Sequence, residues 1–311
     1  MKESSFLTVC MNQTIQKTLV FHDELVMDTV NRTSEYRLDA SGKGVNVCRV
    51  LSQAGKRVCH LTQLGGSLRP LFLDLCRSDD LDIRWVESGS PIRFCYTLIN
   101  KKDGSVTELV EESEEVGEGT AERLLEAFSS LAPSFSTVTI SGTMAAGFPD
   151  TLIPDMVRMA KAGGCRVILD IRGKDLLNSL HLCPDLVKPN LYEFASTFAP
   201  DLVANNSVIS DTGKVKKMVQ EIWEELHRKY PCSLVLTRGA APVWYAENGM
   251  LKEYAFESIV PVNTIGSGDT FTAGIAAALE EGASLAEAVE QGVRLGMLNA
   301  SLLRPGVIRN S

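Results

Sequence analysis

Apolar positions along this chain recur in two rhythms. Short runs rich in β-branched residues, such as STVTIS at 136–141, CRVILD at 165–170 and SLVLT at 233–237, alternate with longer stretches. In those stretches, such as KGVNVCRVLSQA at 43–54, apolar residues fall three and four apart. The pattern predicts strands over 5–11, 57–62, 136–141, 165–170, 185–188 and 233–237. It predicts helices over 43–54, 149–162, 190–197, 214–229, 269–280 and 285–303, with Gly55 and the Gly163–Gly164 pair as stops. Strand and helix in steady alternation imply crossover connections, hence an α/β fold with a mostly parallel central sheet covered on both faces. Continuously apolar strands suit that double burial. Ligands of such sheets bind at the carboxyl ends of the strands.

Two stretches break the rhythm. Residues 17–40 and 93–110 alternate like strands, as in RFCYTLIN and SVTELV, with no helix between them. They predict antiparallel strands forming a flap beside the main sheet. No repeat, low-complexity tract or linker divides the 311 residues, so the chain reads as one domain over 1–311. The acidic run at 111–118 reads as a solvated loop.

Composition narrows the chemistry. Hydrophobic residues make up 44% and charged residues 23%, ordinary for a globular protein. A net charge of −8 argues against a nucleic-acid partner, which needs a basic face, yet leaves room for a small anion held by a few local cations. No apolar run is long enough to span a bilayer, and the polar start MKESSFLTVCMNQ does not look like a secretion leader, so the expectation is a cytoplasmic protein with no membrane partner. The eight cysteines are scattered with no Cys-x-x-Cys pair, and the four histidines have no metal spacing. Buried reduced thiols are the simplest reading. After the first strand stands MNQTIQK rather than G-x-G-x-x-G, which excludes a dinucleotide-binding dehydrogenase.

The most informative segment is VNTIGSGDTFTAG at 262–274. Gly266, Ser267 and Gly268 form a turn able to aim backbone amides at one point, and Asp269 opens an apolar helix whose dipole favours an anion. Such a turn suits phosphate oxygens that gather charge during phosphoryl transfer, and a carboxylate within it can accept the proton of an attacking hydroxyl. On the tetrapeptide alone, a tight turn with an Asp helix cap explains the residues equally well.

The wider sequence resembles the ribokinase-like (PfkB-type) carbohydrate kinases. NTIGSGDT at 263–270 is similar to their D-T-x-G-A-G-D signature, and SGKGVNV at 41–47 to G-G-K-G-x-N-x-A. VKPNLYE at 187–193 resembles K-P-N-x-x-E, SGT at 141–143 the S-G-S/T turn, and LRPG at 303–306 the tail. The blocks come in the family's order over nearly the whole chain. Val30-Asn31-Arg32 and Lys43 point to the 1-phosphofructokinase and tagatose-6-phosphate kinase branch.

The resemblance implies a Rossmann-type sandwich with a small β-sheet lid drawn from about 13–40 and 91–112, often paired in homodimers. It implies transfer of the ATP γ-phosphate to a sugar phosphate, with Mg2+ on the nucleotide. Asp269 then matches the base, and Gly266, Ser267 and Gly268 the anion hole. Asn190 and Glu193 match a pair that positions magnesium, Glu193 through water. Lys188, Thr237, Arg238, Gly239 and Asn299 fall on the nucleotide side. Gln16, Gly42, Lys43, Asn46, Arg93 and Thr143 fall on the sugar side, with Arg93 and Arg32 facing its phosphate. Against the structural alternatives, Lys188 could simply finish a strand, Thr237-Arg238-Gly239 could be a plain turn, and Arg32 and Asn299 could be solvated.

Departures cluster on the sugar side. Gln13 and Gln16 stand in a segment where the family usually reads N-P-A-x-D, Gln16 replacing its Asp. Cys95 replaces a lid amide, and Val110 ends a stretch that usually reads T-E-I-N. An altered sugar preference is therefore expected. A kinase of an unphosphorylated sugar or nucleoside, and a non-catalytic paralogue that binds sugar phosphate or nucleotide, are the competing readings.

Overall fold

The computed structural model describes residues 4–204, 207–208 and 212–309. In chain order the elements begin β1 (Ser5–Val9), β2 (Thr14–Phe21), β3 (Glu35–Ser41), α1 (Lys43–Gln53), β4 (Arg57–Leu64), α2 (Arg69–Ser78), β5 (Ile83–Glu87), β6 (Arg93–Asn100) and β7 (Val106–Val110). There follow α3 (Thr120–Leu131), β8 (Thr137–Ser141), α4 (Leu152–Ala162), β9 (Arg166–Asp170), α5 (Gly173–Leu180), β10 (Leu186–Val187) and α6 (Leu191–Phe198). A minor strand pair, β11 (Val203–Ala204) and β12 (Ser207–Val208), leads to α7 (Thr212–Lys229), β13 (Ser233–Arg238), β14 (Ala241–Glu247), β15 (Met250–Tyr254), α8 (Ser267–Glu280) and α9 (Leu285–Ala300).

The large sheet runs β15-β14-β13-β10-β9-β8-β1-β4-β5, and every neighbouring pair from β13 to β5 is parallel. Its strands are apolar throughout because alternate residues serve opposite faces. Val167 and Leu169 of β9 pack with the cluster that includes Phe128, Met156 and Trp223, whereas Ile168 between them packs with Val50, Phe271 and Val293. Leu234, Val235 and Leu236 of β13 divide in the same way.

The predicted strands and helices are present within a few residues of their expected ends. The antiparallel edge β14-β15 lay outside the sequence reading. Glu247 pairs with Met250 across Asn248 and Gly249, both at positive φ (52° and 78°), the backbone that a two-residue hairpin requires.

The rhythm-breaking stretches form a second sheet of order β3-β2-β6-β7. Its outer pairs are antiparallel as expected, but β2 and β6 are parallel. The reason lies in the connection: after β3 the chain builds α1, β4, α2 and β5 before returning as β6. Ile15, Ala40, Ile92 and Phe94 tie this sheet to α2 through a third apolar cluster. Among the described residues no helix is long and apolar enough to cross a membrane.

Candidate active site

Five parallel strands end at one place. Beyond β1 lies Cys10, beyond β8 lie Gly142 and Thr143, β9 ends on Asp170, Lys188 follows β10, and Thr237 sits near the end of β13. All line a cavity of about 490 Å³, together with Gly42, Lys43 and Asn46 at the start of α1, Asn190 and Glu193 at the start of α6, and Gly266, Gly268 and Asp269 at the start of α8. The second sheet closes the other side with Gln16, Arg93, Cys95, Glu108 and Val110. A neighbouring cavity of about 350 Å³ shares Asn190, Thr237, Thr264 and Gly268, and adds Gly239, Val243, Phe256, Ser267, Phe271 and Met297.

The start of α8 is a glycine turn with Gly266 as its cap. Gly266 has φ +80°, and a Cβ there would meet the Gly306 nitrogen at 2.6 Å, so both conformation and packing require glycine. The Ser267 amide donates to the Thr264 carbonyl and the Thr270 amide to the Gly266 carbonyl. The intervening amides of Gly268 and Asp269 have no acceptor among the described residues, as expected for a first helical turn. A Cβ on Gly268 would find nothing within 4 Å, so both cavities reach the backbone here.

Asp269 is buried, and its Oδ2 accepts a 2.8 Å hydrogen bond from the Asn46 Nδ2. Burial pushes its pKa up to about 7, with Lys43 pulling down and Asp170 pushing up. Asp170 behaves oppositely although it is equally enclosed. Burial alone would raise it, but Lys188 at 3.2 Å, Lys43 at 3.2 Å and the Thr272 hydroxyl at 2.9 Å hold it below the ordinary carboxylate range. Lys43 also reaches Glu193 at 3.1 Å. Burial alone would lower its pKa, but Asp170, Glu193 and Asp269 together raise it, so Lys43 stays charged. Two neighbouring carboxylates thus stand far apart in proton affinity, as acid–base sites require.

Asn190 caps α6. Its side chain accepts from the Glu193 amide at 2.8 Å, and Glu193 returns a bond from the Asn190 amide at 2.9 Å. The reciprocal pair fixes both side chains at the cavity wall. Arg93 donates to the Glu111 carbonyl at 2.6 Å, while its Nε is buried with no partner among the described residues. Gln16 lines the wall but already donates to the Thr97 hydroxyl at 2.5 Å.

Three sequence-selected residues lie elsewhere. Arg238 stacks its guanidinium 3.8 Å from the Trp244 ring and donates to the Pro242 carbonyl, which turns it away from either cavity. Asn299 is fully buried and donates to the carbonyls of Arg304 and Val307, so it clamps the turn after α9 rather than standing solvated or facing a ligand. Arg32 is exposed on the 22–34 loop and lines neither cavity. The sequence reading also passed over several cavity residues, among them the charged Asp170 and Arg172. Arg172 has no ion pair or hydrogen bond with any described residue. The available signal was the apolar strand VILD ending on a charge at the carboxyl edge.

Comparison with known proteins agrees with this geometry. The structure superimposes on the tetrameric inhibited form of phosphofructokinase-2 from Escherichia coli with a TM-score of 0.82, at 20% identity over 96% of this chain and 94% of that one. The same enzyme in complex with fructose-6-phosphate gives 0.81 at 18% identity, over 96% and 94%. A Thermotoga maritima protein designated a possible 1-phosphofructokinase gives 0.80 at 20% identity, over 96% and 93%. At these identities the likeness establishes the fold. The sequence profile of the pfkB family of carbohydrate kinases matches residues 7–308, nearly the whole chain, and the chain therefore belongs to that family.

Proposed function

We propose that this carbohydrate kinase transfers the γ-phosphate of ATP to a hydroxyl of a ketohexose phosphate, with Asp269 as general base. The observation that carries the reading is the Asp269 carboxylate, buried at the head of α8 beside two unengaged amides in the cavity that Arg93 enters.

The residues fit each part. The amides of Gly268 and Asp269 would hold the transferring phosphoryl group. The more apolar neighbouring cavity, with Phe256, Phe271 and Met297, suits a purine ring. Arg93, whose Nε lacks a partner, suits the phosphate already on the sugar. Asp269, with a pKa near 7, is matched to taking a hydroxyl proton at neutral pH. Lys43 and Lys188 neutralise Asp170 and Glu193, which leaves Arg172 as a further cation at the cavity wall.

A divalent ion carried by the nucleotide would supply charge neutralisation at the phosphates. No three His, Cys, Asp or Glu side chains among the described residues converge as a metal cage. The residues fit a hydrated Mg2+ that Asn190 and Glu193 approach through water.

A coupled ADP-release assay over phosphorylated and plain ketohexoses, other sugars and nucleosides tests this. Turnover is expected with a phosphorylated ketohexose. Turnover confined to unphosphorylated acceptors would overturn the substrate class, and no release with any acceptor would favour a binding-only paralogue.

A further inference from the structure

Behind Asp269 lies a largely buried polar chain whose members beyond Asn46 have no role above. Asn46 donates to Asp269 through Nδ2 at 2.8 Å, and its Oδ1 accepts from the Arg49 Nη1 at 2.9 Å. Arg49 is 1% exposed, yet each guanidinium nitrogen has a partner from a different element. Nη1 takes Asn46 on α1, Nη2 takes the Ala40 carbonyl at the end of β3, and Nε takes Asp79 beyond α2 at 2.8 Å. Asp79 also accepts from Arg304 at 2.6 and 2.7 Å, and Arg304 pairs with Asp39 of β3 at 2.7 Å. With Arg37, which also reaches Asp39 at 3.4 Å, three guanidinium groups meet the two carboxylates of Asp39 and Asp79, so neither anion is left unpaired.

The chemistry of this chain is directional. A guanidinium has only donors, whereas an amide side chain has one donor end and one acceptor end. The end of Asn46 that faces Arg49 must be its oxygen, so the end that faces Asp269 must be its NH2. Were the amide to rotate by half a turn, its oxygen would face the carboxylate and oppose its charge. Among the described residues nothing else near Asn46 enforces the choice. The Ser41 hydroxyl, at 3.4 Å, can donate or accept, and Gly306 packs on the Asn46 side chain by shape alone.

We propose that Arg49 is a positioning residue for the reaction: it locks the Asn46 amide in the one orientation that donates to the base. The inference rests on Asp269 being that base. The other charged or titratable groups facing Asp269 are Lys43 from α1, Asp170 from β9, Lys188 beyond β10 and the Cys10 thiol beyond β1. An Arg49 substitution alters none of them.

The test is the pH profile of kcat/KM for Arg49→Met beside wild type, with melting temperature measured in parallel. The acid limb is expected to move up by roughly half to one pH unit, with a ~3–8-fold loss at pH 6.5 that all but vanishes by pH 9. A uniform fall across pH, with the limb unmoved, would mean that Arg49 only stabilises the fold and would overturn the proposal. Should Arg49→Met not fold, Arg49→Met/Asp79→Asn removes the unbalanced charge and is held to the same criterion. Asp269→Asn separates the two levels. Wild-type turnover in that variant removes the base assignment and this inference with it. An inactive Asp269→Asn beside an unmoved Arg49→Met limb removes the inference alone.

Discussion

The carboxyl edge of the large sheet and the second sheet furnish one cavity by different means. The edge works through backbone and through charges already paired. Its amides belong to a glycine turn, its lysines are committed to Asp170 and Glu193, and Asn190 and Glu193 cap each other. The second sheet contributes side chains from its strands, among them Arg93, whose Nε is buried without a partner among the described residues, and Cys95, Glu108 and Val110. Groups locked by backbone geometry cannot change singly without loss of the turn or the cap. Strand side chains facing a cavity can change one at a time. On the function proposed above, the reaction would be built into the edge, and the choice of acceptor into the second sheet.

The sharpest way to break this contrast is Asp269→Asn. Turnover should fall by ~10²–10⁴, the usual worth of a positioned base, while the fold persists because the Asn46 donor still finds an oxygen. The folded pKa of about 7 lies above the ordinary carboxylate value, so the ionised form carries a penalty. Its stabilising protonated state is fully present below about pH 4 and is lost as pH rises through about 7. Wild type should thus lose melting temperature between about pH 4 and 7, and the variant should not. Wild-type turnover should itself decline below about pH 7. Full activity in the variant would mean that the edge is scaffold only.

Adjacent glycines sharpen the edge further. Gly268→Ala should keep its melting temperature and lose turnover by roughly 10–100-fold, because its methyl enters open space where the amides face the cavity. Gly266→Ala should do the reverse, losing about 1–3 kcal/mol of stability to positive φ and contact with Gly306. The mildest change tests the second sheet. Arg93→Gln should raise KM for a phosphorylated acceptor about tenfold or more, with the KM for nucleotide unaltered. A matching rise for both substrates would erase the division between the two regions.

The sequence made one side of this contrast far easier to read. Glycine turns and helix caps are local demands, so NTIGSGDT, SGKGVNV and KPNLYE disclose themselves as short words. Asp170 does not, because its character comes from Lys43, 127 positions away, and from Lys188 and Thr272. The surroundings of Asn299, expected on the nucleotide side, are hidden for a related reason: only when the chain folds back does it meet the carbonyls at 304 and 307. The parallel pairing of β2 with β6 is likewise set by a connection of many elements, whereas the missed Asn248–Gly249 hairpin was a legible turn signal left unread.

The turn at 304–306 does three jobs within three residues. Arg304 ties Asp39 to Asp79, Pro305 and Gly306 pack against Gly266, and Gly306 leaves space for the Asn46 side chain. It also follows every strand of both sheets in chain order. Cutting the chain before Arg304 would therefore leave every strand of both sheets in place and take away the buttress behind Gly266 and Asn46.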